Sequence, residues 1–162
     1  MVELELTRSP RERRTYVLDD LGTLRFHGLL SRTATAEAGG RSWQFARALL
    51  TSRGEARSAE GLPAGVFEPR GFRRGGTLRW SGTELVLRPA SAWRERYALA
   101  DGDRELAVLD GKGWGRKPVR VEMADATAPD AALILFAAFV VRGLADDASS
   151  TAAAAGSTAA IG

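Results

Sequence analysis

The sequence predicts an all-β domain closed around one buried helix, and three observations carry that expectation. Ala131 to Leu144, AALILFAAFVVRGL, is the longest apolar run of the chain, and it is apolar on every side, as a helix without a wet face must be. Much of the remaining chain falls into short segments alternating apolar and polar residues, one face for a core and one for water. Turn signals recur about every 8 to 15 residues, the spacing of an all-β barrel or sandwich. Strands of six or seven residues span about 20–23 Å, and a helix over Ala128–Arg142 spans roughly 22 Å. A closed antiparallel β-barrel wrapped around a central hydrophobic C-terminal helix satisfies all three and leaves no open strand edge.

Residues 1–14 hold Arg8, Arg11, Arg13 and Arg14 and read as a flexible basic arm, although the alternation in VELEL also permits an edge strand. The domain proper is expected over 15–145. Thr15–Leu18 is a short strand, and Asp19, Asp20 and Gly22 mark a turn. Thr23–His27 is a strand with Leu24 and Phe26 on one face; Thr33–Glu37 follows, stopped by Gly39-Gly40. Trp43, Phe45 and Leu49 continue the inward pattern. Between Ala46 and Gly71 a short helix over Ala46–Leu50 and a pair of short strands fit about equally, because Gly54, Gly61, Pro63, Gly65 and Pro69 interrupt the region.

Thr77–Trp80 and Glu84–Arg88 form a hairpin around Ser81-Gly82-Thr83. Trp93–Ala100 and Arg104–Leu109 form another around Asp101-Gly102-Asp103, with Trp93, Tyr97 and Leu99 inward. Val119–Met123 is the last strand, and Pro118 is tolerated before it. For the helix, Thr127 and Asp130 read as a capping box, Pro129 suits the first turn, and Gly143 with Leu144 reads as a left-handed C-cap. Residues 146–162, rich in Ala, Ser, Thr and Gly, are expected to be a disordered tail.

A bilayer core needs about 20 apolar residues. The run between Asp130 and Arg142 falls short, so a core helix is favoured over a membrane anchor using Arg142 as a snorkelling flank. There are no cysteines, which excludes disulfides, thiolate chemistry and Cys-based metal sites. The start MVELELTRSPRERR lacks the apolar run of a signal peptide, so a cytoplasmic protein, at most peripheral to a membrane, is expected. Net charge is +3, yet the isoelectric point is near 9.9, because Lys112 and Lys117 are the sole lysines and the other basic residues are arginine. With abundant Ala and Gly this fits codon bias in a GC-rich bacterial genome. It also fits selection for phosphate groups, which arginine binds bidentately.

Three stretches resemble a known family: YALADGDRELAVLDGK (Tyr97–Lys112), VRVEM (Val119–Met123) and PDAALILFAAFVV (Pro129–Val141). A barrel meander followed by a wholly hydrophobic helix near the C-terminus resembles the tubby-like superfamily, which includes tubby C-terminal domains, LURP-one-related proteins and phospholipid scramblases. The likeness spans roughly residues 20–145. It implies the threaded barrel, and it implies a binding role, since tubby domains bind phosphoinositides through basic residues. No individual binding residue carries over.

Each candidate for chemistry has a bland reading beside it. His27, the sole histidine, lies opposite Leu24 and Phe26; with no GxSxG elbow, an exposed histidine is favoured over a catalytic one. Gly111–Lys117, GKGWGRK, combines glycines with Lys112, Arg116 and Lys117 and could cradle an anion, although Leu106 stands where a Walker motif needs its first glycine. Arg70, Arg73, Arg74 and Arg79, joined by outward Arg94, Arg96 and Arg120, could build a basic patch on the barrel wall. The bland alternative pairs those arginines with Glu84, Glu95, Asp103 and Glu122. The carboxylates at Asp19-Asp20, Asp101/Asp103 and Asp146-Asp147 are explained by turns and a helix end.

The sequence therefore points to a non-enzymatic binding module without cofactor or metal. Arg73, Arg74, Lys112, Arg116 and Lys117 are its anion-binding candidates, and its partner is an anionic phospholipid headgroup or an acidic protein. Nucleic acid is disfavoured, because the aromatic residues fall mostly on inward faces rather than on a stacking surface. A structural or protein-interaction domain is the first alternative and an enzyme with a cryptic site the second.

Overall fold

The computed structural model of the chain describes residues 2–28, 32–70, 75–91, 95–111, 119–123 and 130–158, the last span without the side chains of 149 and 151–158. Twelve strands are followed by one helix: β1 (Val2–Arg8), β2 (Thr15–Leu18), β3 (Gly22–His27), β4 (Thr33–Ala38), β5 (Arg41–Arg47), β6 (Gly54–Ser58), β7 (Pro63–Pro69), β8 (Gly76–Trp80), β9 (Thr83–Ser91), β10 (Arg96–Asp101), β11 (Arg104–Asp110), β12 (Val119–Met123) and α1 (Ala131–Thr158). Every strand pairs antiparallel with its sequence neighbours, and β1 pairs with β12 to close the barrel. The fold class expected from the pattern is the one observed.

The helix fills the barrel. Ala132, Ile134, Leu135, Phe136, Ala137, Ala138, Phe139, Val140 and Val141 are all buried, so no side of this segment meets water. It runs nearest β3, β4, β5 and β11. Strand β4 turns only alanines inward (Ala34, Ala36, Ala38), leaving room for the helix, while aromatic rings fill the space beside it. Phe45 lies 5.1 Å from Phe136 and 5.6 Å from Phe139, and Trp80 lies 5.7 Å from Phe136. Such ring pairs contribute about 0.5–1.5 kcal/mol each beyond their buried area.

Several sequence expectations are corrected. Val2–Arg8 is neither a loose arm nor an edge: its alternation turns Leu6 inward, and it hydrogen-bonds β12 on one side and β2 on the other. Without it, both of those strands would present unpaired backbone groups. Of the two readings left open between Ala46 and Gly71, the pair of strands is the one formed, as β6 and β7, while Leu49, expected inward, faces solvent at 70% exposure. Trp93, like the capping-box residue Thr127 and Pro129, lies outside the described residues. Asp130 is itself the N-cap, its Oδ1 accepting the Ala132 N–H at 3.0 Å while its Oδ2 accepts the Trp80 indole N–H at 3.2 Å.

Nor does the helix stop at Gly143. It continues to Thr158 through much of the expected tail, a stretch rich in alanine, the best helix former. Gly143 has a packing role instead of a capping one. A Cβ there would come within 2.7 Å of the Arg47 guanidinium carbon, so the missing side chain makes room for that arginine. At the β8–β9 hairpin, Ser81 and Gly82 both have positive φ (49° and 83°), the two-residue turn that matches strand twist.

Candidate functional site

In a closed antiparallel meander, successive connections alternate between two rims. We call the rim where β1 ends the upper one. It carries the β1–β2, β3–β4, β5–β6, β7–β8, β9–β10 and β11–β12 connections; the lower rim carries the others and the start of α1. The helix thus enters below, where Asp130 meets Trp80, and leaves above, where Asp147 meets Arg47 and Ser52.

This topology sorts the charge. Among the described residues, the upper connections hold Arg11, Arg13, Arg14, Arg32, Arg53 and Arg70 against Glu12 and Glu95. The lower ones hold Asp19, Asp20, Glu60, Asp103 and, as N-cap, Asp130, with no basic residue among them. Counted through the sequence between the same strands, the upper connections contain 12 basic and 2 acidic residues and the lower ones 6 acidic and no basic residues.

The five anion-binding candidates, Arg73, Arg74, Lys112, Arg116 and Lys117, lie outside the described residues. The flanking ends of their two segments are described: Arg70 and Gly75 on one side, Gly111 and Val119 on the other, all at the upper rim. The Gly111 N–H donates to the Glu95 carbonyl at 2.8 Å.

Three described members of the expected wall patch are paired instead of free. Arg79 pairs with Glu84 at 3.3 Å and Arg120 with Glu3 at 3.6 Å. Arg96 is half-buried and holds both Asp110 (2.8 Å) and Glu122 (2.9 Å). Burial works against its charged form, but the hydrogen bond to Glu122 and the nearby carboxylates outweigh it and hold its pKa above the ordinary arginine value. Arg94 lies outside the described residues. These three wall arginines are therefore neutralised, and among the connections the basic excess lies in the upper ones.

At the helix exit, an arginine–carboxylate group fixes the β5–β6 turn. Asp147 Oδ2 accepts from Arg47 Nη1 at 3.2 Å and from the Ser52 hydroxyl at 2.6 Å, which holds both flanks of the turn. The Ala48 N–H donates to the Arg53 carbonyl at 2.8 Å, and Arg32 donates to the Ala48 carbonyl at 3.1 Å. Arg142 stacks over Phe26, 4.1 Å from the ring centre, and reaches Asp146 at 4.0 Å. Burial raises the Asp146 pKa; Arg142 and Arg47 oppose that shift and Asp147 adds to it.

His27 is exposed, and its Nε2 lies 2.7 Å from the Thr35 hydroxyl. A shallow cleft of about 300 Å³ beside it is lined by Gln44, Glu55 and Arg57 on the outer wall. A larger cleft, about 500 Å³, lies on the lower rim between Asp19, Asp20, Glu37 and Arg41. Among the described residues no group of three or more His, Cys, Asp or Glu side chains could hold a metal ion.

Arg32, Arg47 and Leu50 were not singled out by the sequence, which read Leu49 as inward and Asp147 as a helix-end carboxylate. Their grouping depends on topology, since Arg47 and Asp147 are a hundred residues apart. The one local signal was Leu50, which breaks the alternation of Trp43, Phe45 and Leu49 just before Thr51-Ser52. Comparison with protein-family models, curated proteins and solved structures gives no match for this chain.

Proposed function

We propose that the chain is a non-enzymatic binding module that attaches through its upper rim to surfaces bearing anionic phosphate groups, with phospholipid headgroups as the leading ligand. The observation that carries this reading is the sorting of charge between the connections, arginine in the upper ones and carboxylates in the lower ones, although Arg41 and Arg104 open strands below and Asp146 and Asp147 stand at the helix exit above. Mixed charge spread evenly over a barrel would orient it toward nothing; two rims of opposite sign give it a facing direction. Basic residues near an anionic membrane surface contribute about 1 kcal/mol each, and arginine adds bidentate geometry for phosphate oxygens. Arg11, Arg13 and Arg70 are exposed and, among the described residues, have no carboxylate within 4.0 Å. Arg73, Arg74, Lys112, Arg116 and Lys117 belong to the same proposal through the segments in which they stand.

The resemblance to the tubby-like superfamily points the same way, since tubby domains bind phosphoinositides. Among the described residues no helix is long and apolar enough to cross a membrane, so the attachment proposed is peripheral. Vesicle co-sedimentation with neutral and anionic lipids, at low and high salt, tests it. Salt-sensitive binding to anionic vesicles alone is expected. Equal binding to both, or to neither, would remove the lipid reading, and the latter would bring an acidic protein partner forward.

A further inference from the structure

The geometry points to a second component of this attachment: we propose that the β5–β6 turn inserts Leu49 and Leu50 into the interfacial layer of an anionic bilayer. The inference rests on the basic-rim reading and sharpens its partner to a lipid surface. Leu49 and Leu50 are 70% and 97% exposed, adjacent, and at the tip of a turn. Single exposed leucines need no explanation, but two neighbours on one projecting turn are a costly thing to show to water.

The turn is also braced. Ser52 adopts φ +54°, its hydroxyl is held by Asp147, and the Ala48 carbonyl is held by Arg32. The leucines are thus presented by a fixed base: Arg47 and Arg53 flank them in the chain, the first paired with Asp147 and the second with Glu55 and Glu68, while Arg32 reaches the turn from the β3–β4 connection, and the exposed Arg11, Arg13 and Arg70 stand in other connections of the same rim. Apolar tips on a rim that also exposes Arg11, Arg13 and Arg70 suit the boundary of an anionic membrane, where acyl chains lie just beneath phosphate groups. A free phosphate or a soluble acidic peptide would use the rim arginines and leave the leucines idle.

The helix leaving among these turns does not oppose this placement. From Ala148 to Gly162 the chain has no charged side chain, and the helical part reaches roughly 16 Å past Asp147, so that stretch brings no charged side chain to a bilayer, and the carboxylates at its base, Asp146 and Asp147, face Arg142 and Arg47. The lower rim makes the contrast. Among the described residues its exposed large apolar side chains, Val2, Leu21 and Leu62, stand singly, the last two near Asp20 and Glu60.

Because the chain has no cysteine, a single engineered one takes a probe uniquely. Leu50→Cys and, as the lower-rim control, Leu62→Cys would each carry an environment-sensitive fluorophore. With vesicles of mixed anionic and neutral phospholipid, the probe at 50 should shift to the blue and be quenched by lipid-borne quencher, while the probe at 62 should not. Leu49→Ser with Leu50→Ser should weaken vesicle binding about tenfold or more. If the unmodified chain sediments with anionic vesicles but neither the probe at 50 nor the double variant responds, insertion is wrong and the basic-rim reading survives. A shift at 62 alone would overturn the orientation. Absence of vesicle binding by the unmodified chain would overturn both readings.

Discussion

The two rims of the barrel stand on the same interior and differ in almost everything else. The lower rim is built from short turns such as Gly39-Gly40 and Ser81-Gly82, carries carboxylates, and receives the capped start of the helix. The upper rim has longer connections, carries arginine, presents Leu49 and Leu50, and releases the helix. A meander needs only tight turns to fold, so the lower rim is what the fold requires. The extra residues and charges above are what the fold does not require, and function is more readily lodged there.

The largest expected effect removes both rims at once. Phe136 is fully buried among Phe45, Phe139 and Trp80. Phe136→Asp places an unpaired carboxylate there, a cost of several kcal/mol, comparable with the ~5–15 kcal/mol that holds a domain folded. Circular dichroism and solubility should report an unfolded or insoluble chain; a soluble variant with native spectra would mean that the helix does not organise the barrel.

A smaller change separates the rims. Asp147→Ala strips the buried Arg47 (6% exposed) of its carboxylate and the β5–β6 turn of its brace. Urea denaturation should show a loss of about 1–2 kcal/mol, whereas Asp20→Ala, at an exposed turn of the lower rim, should change stability by less than about 0.5 kcal/mol. Equal losses would make the upper bracing incidental.

The smallest contrast is one of sign with pH. Burial raises the Asp146 pKa at the upper rim, so its stabilisation is complete below the ordinary aspartate value and is lost as pH rises through the raised one. Glu60 at the lower rim is shifted down, first by a hydrogen bond from its own backbone and then by Ser58, so its stabilisation is present above the ordinary glutamate value and is lost as pH falls through the lowered one. Melting temperatures across the acid range should therefore change in opposite directions for Asp146→Asn and Glu60→Gln relative to the parent chain. Parallel changes would contradict the assignment.

The architecture was legible because it rests on local periodicity. Leu24 and Phe26, Leu78 and Trp80, and Val119, Val121 and Met123 each alternate inward as the pattern required. The all-round apolar helix had only a barrel interior to occupy. Gly143 misled because a glycine after an apolar run looks the same whether it caps a helix or clears space for an arginine from another strand. Val2–Arg8 was ambiguous because its partner, β12, lies at the other end of the chain. The basic rim was half legible: the loops rich in Arg and Lys were visible, but their shared side of the barrel appears only once twelve strands are known to alternate. Arg79, Arg96 and Arg120 proved paired because outward alternation brings a residue to the surface without revealing which carboxylate stands across the strand.

The central claim is that one rim, not the whole surface, does the binding. The most direct measurement is vesicle co-sedimentation of two triple variants beside the parent chain. Arg11→Glu, Arg13→Glu and Arg70→Glu together should weaken binding to anionic vesicles by at least about a hundredfold. Asp20→Asn, Glu60→Gln and Asp103→Asn together should leave it within about twofold. If the lower-rim variant changes binding as much as the upper-rim variant, the protein responds only to net charge, and the polarity of the barrel has no part in what it does.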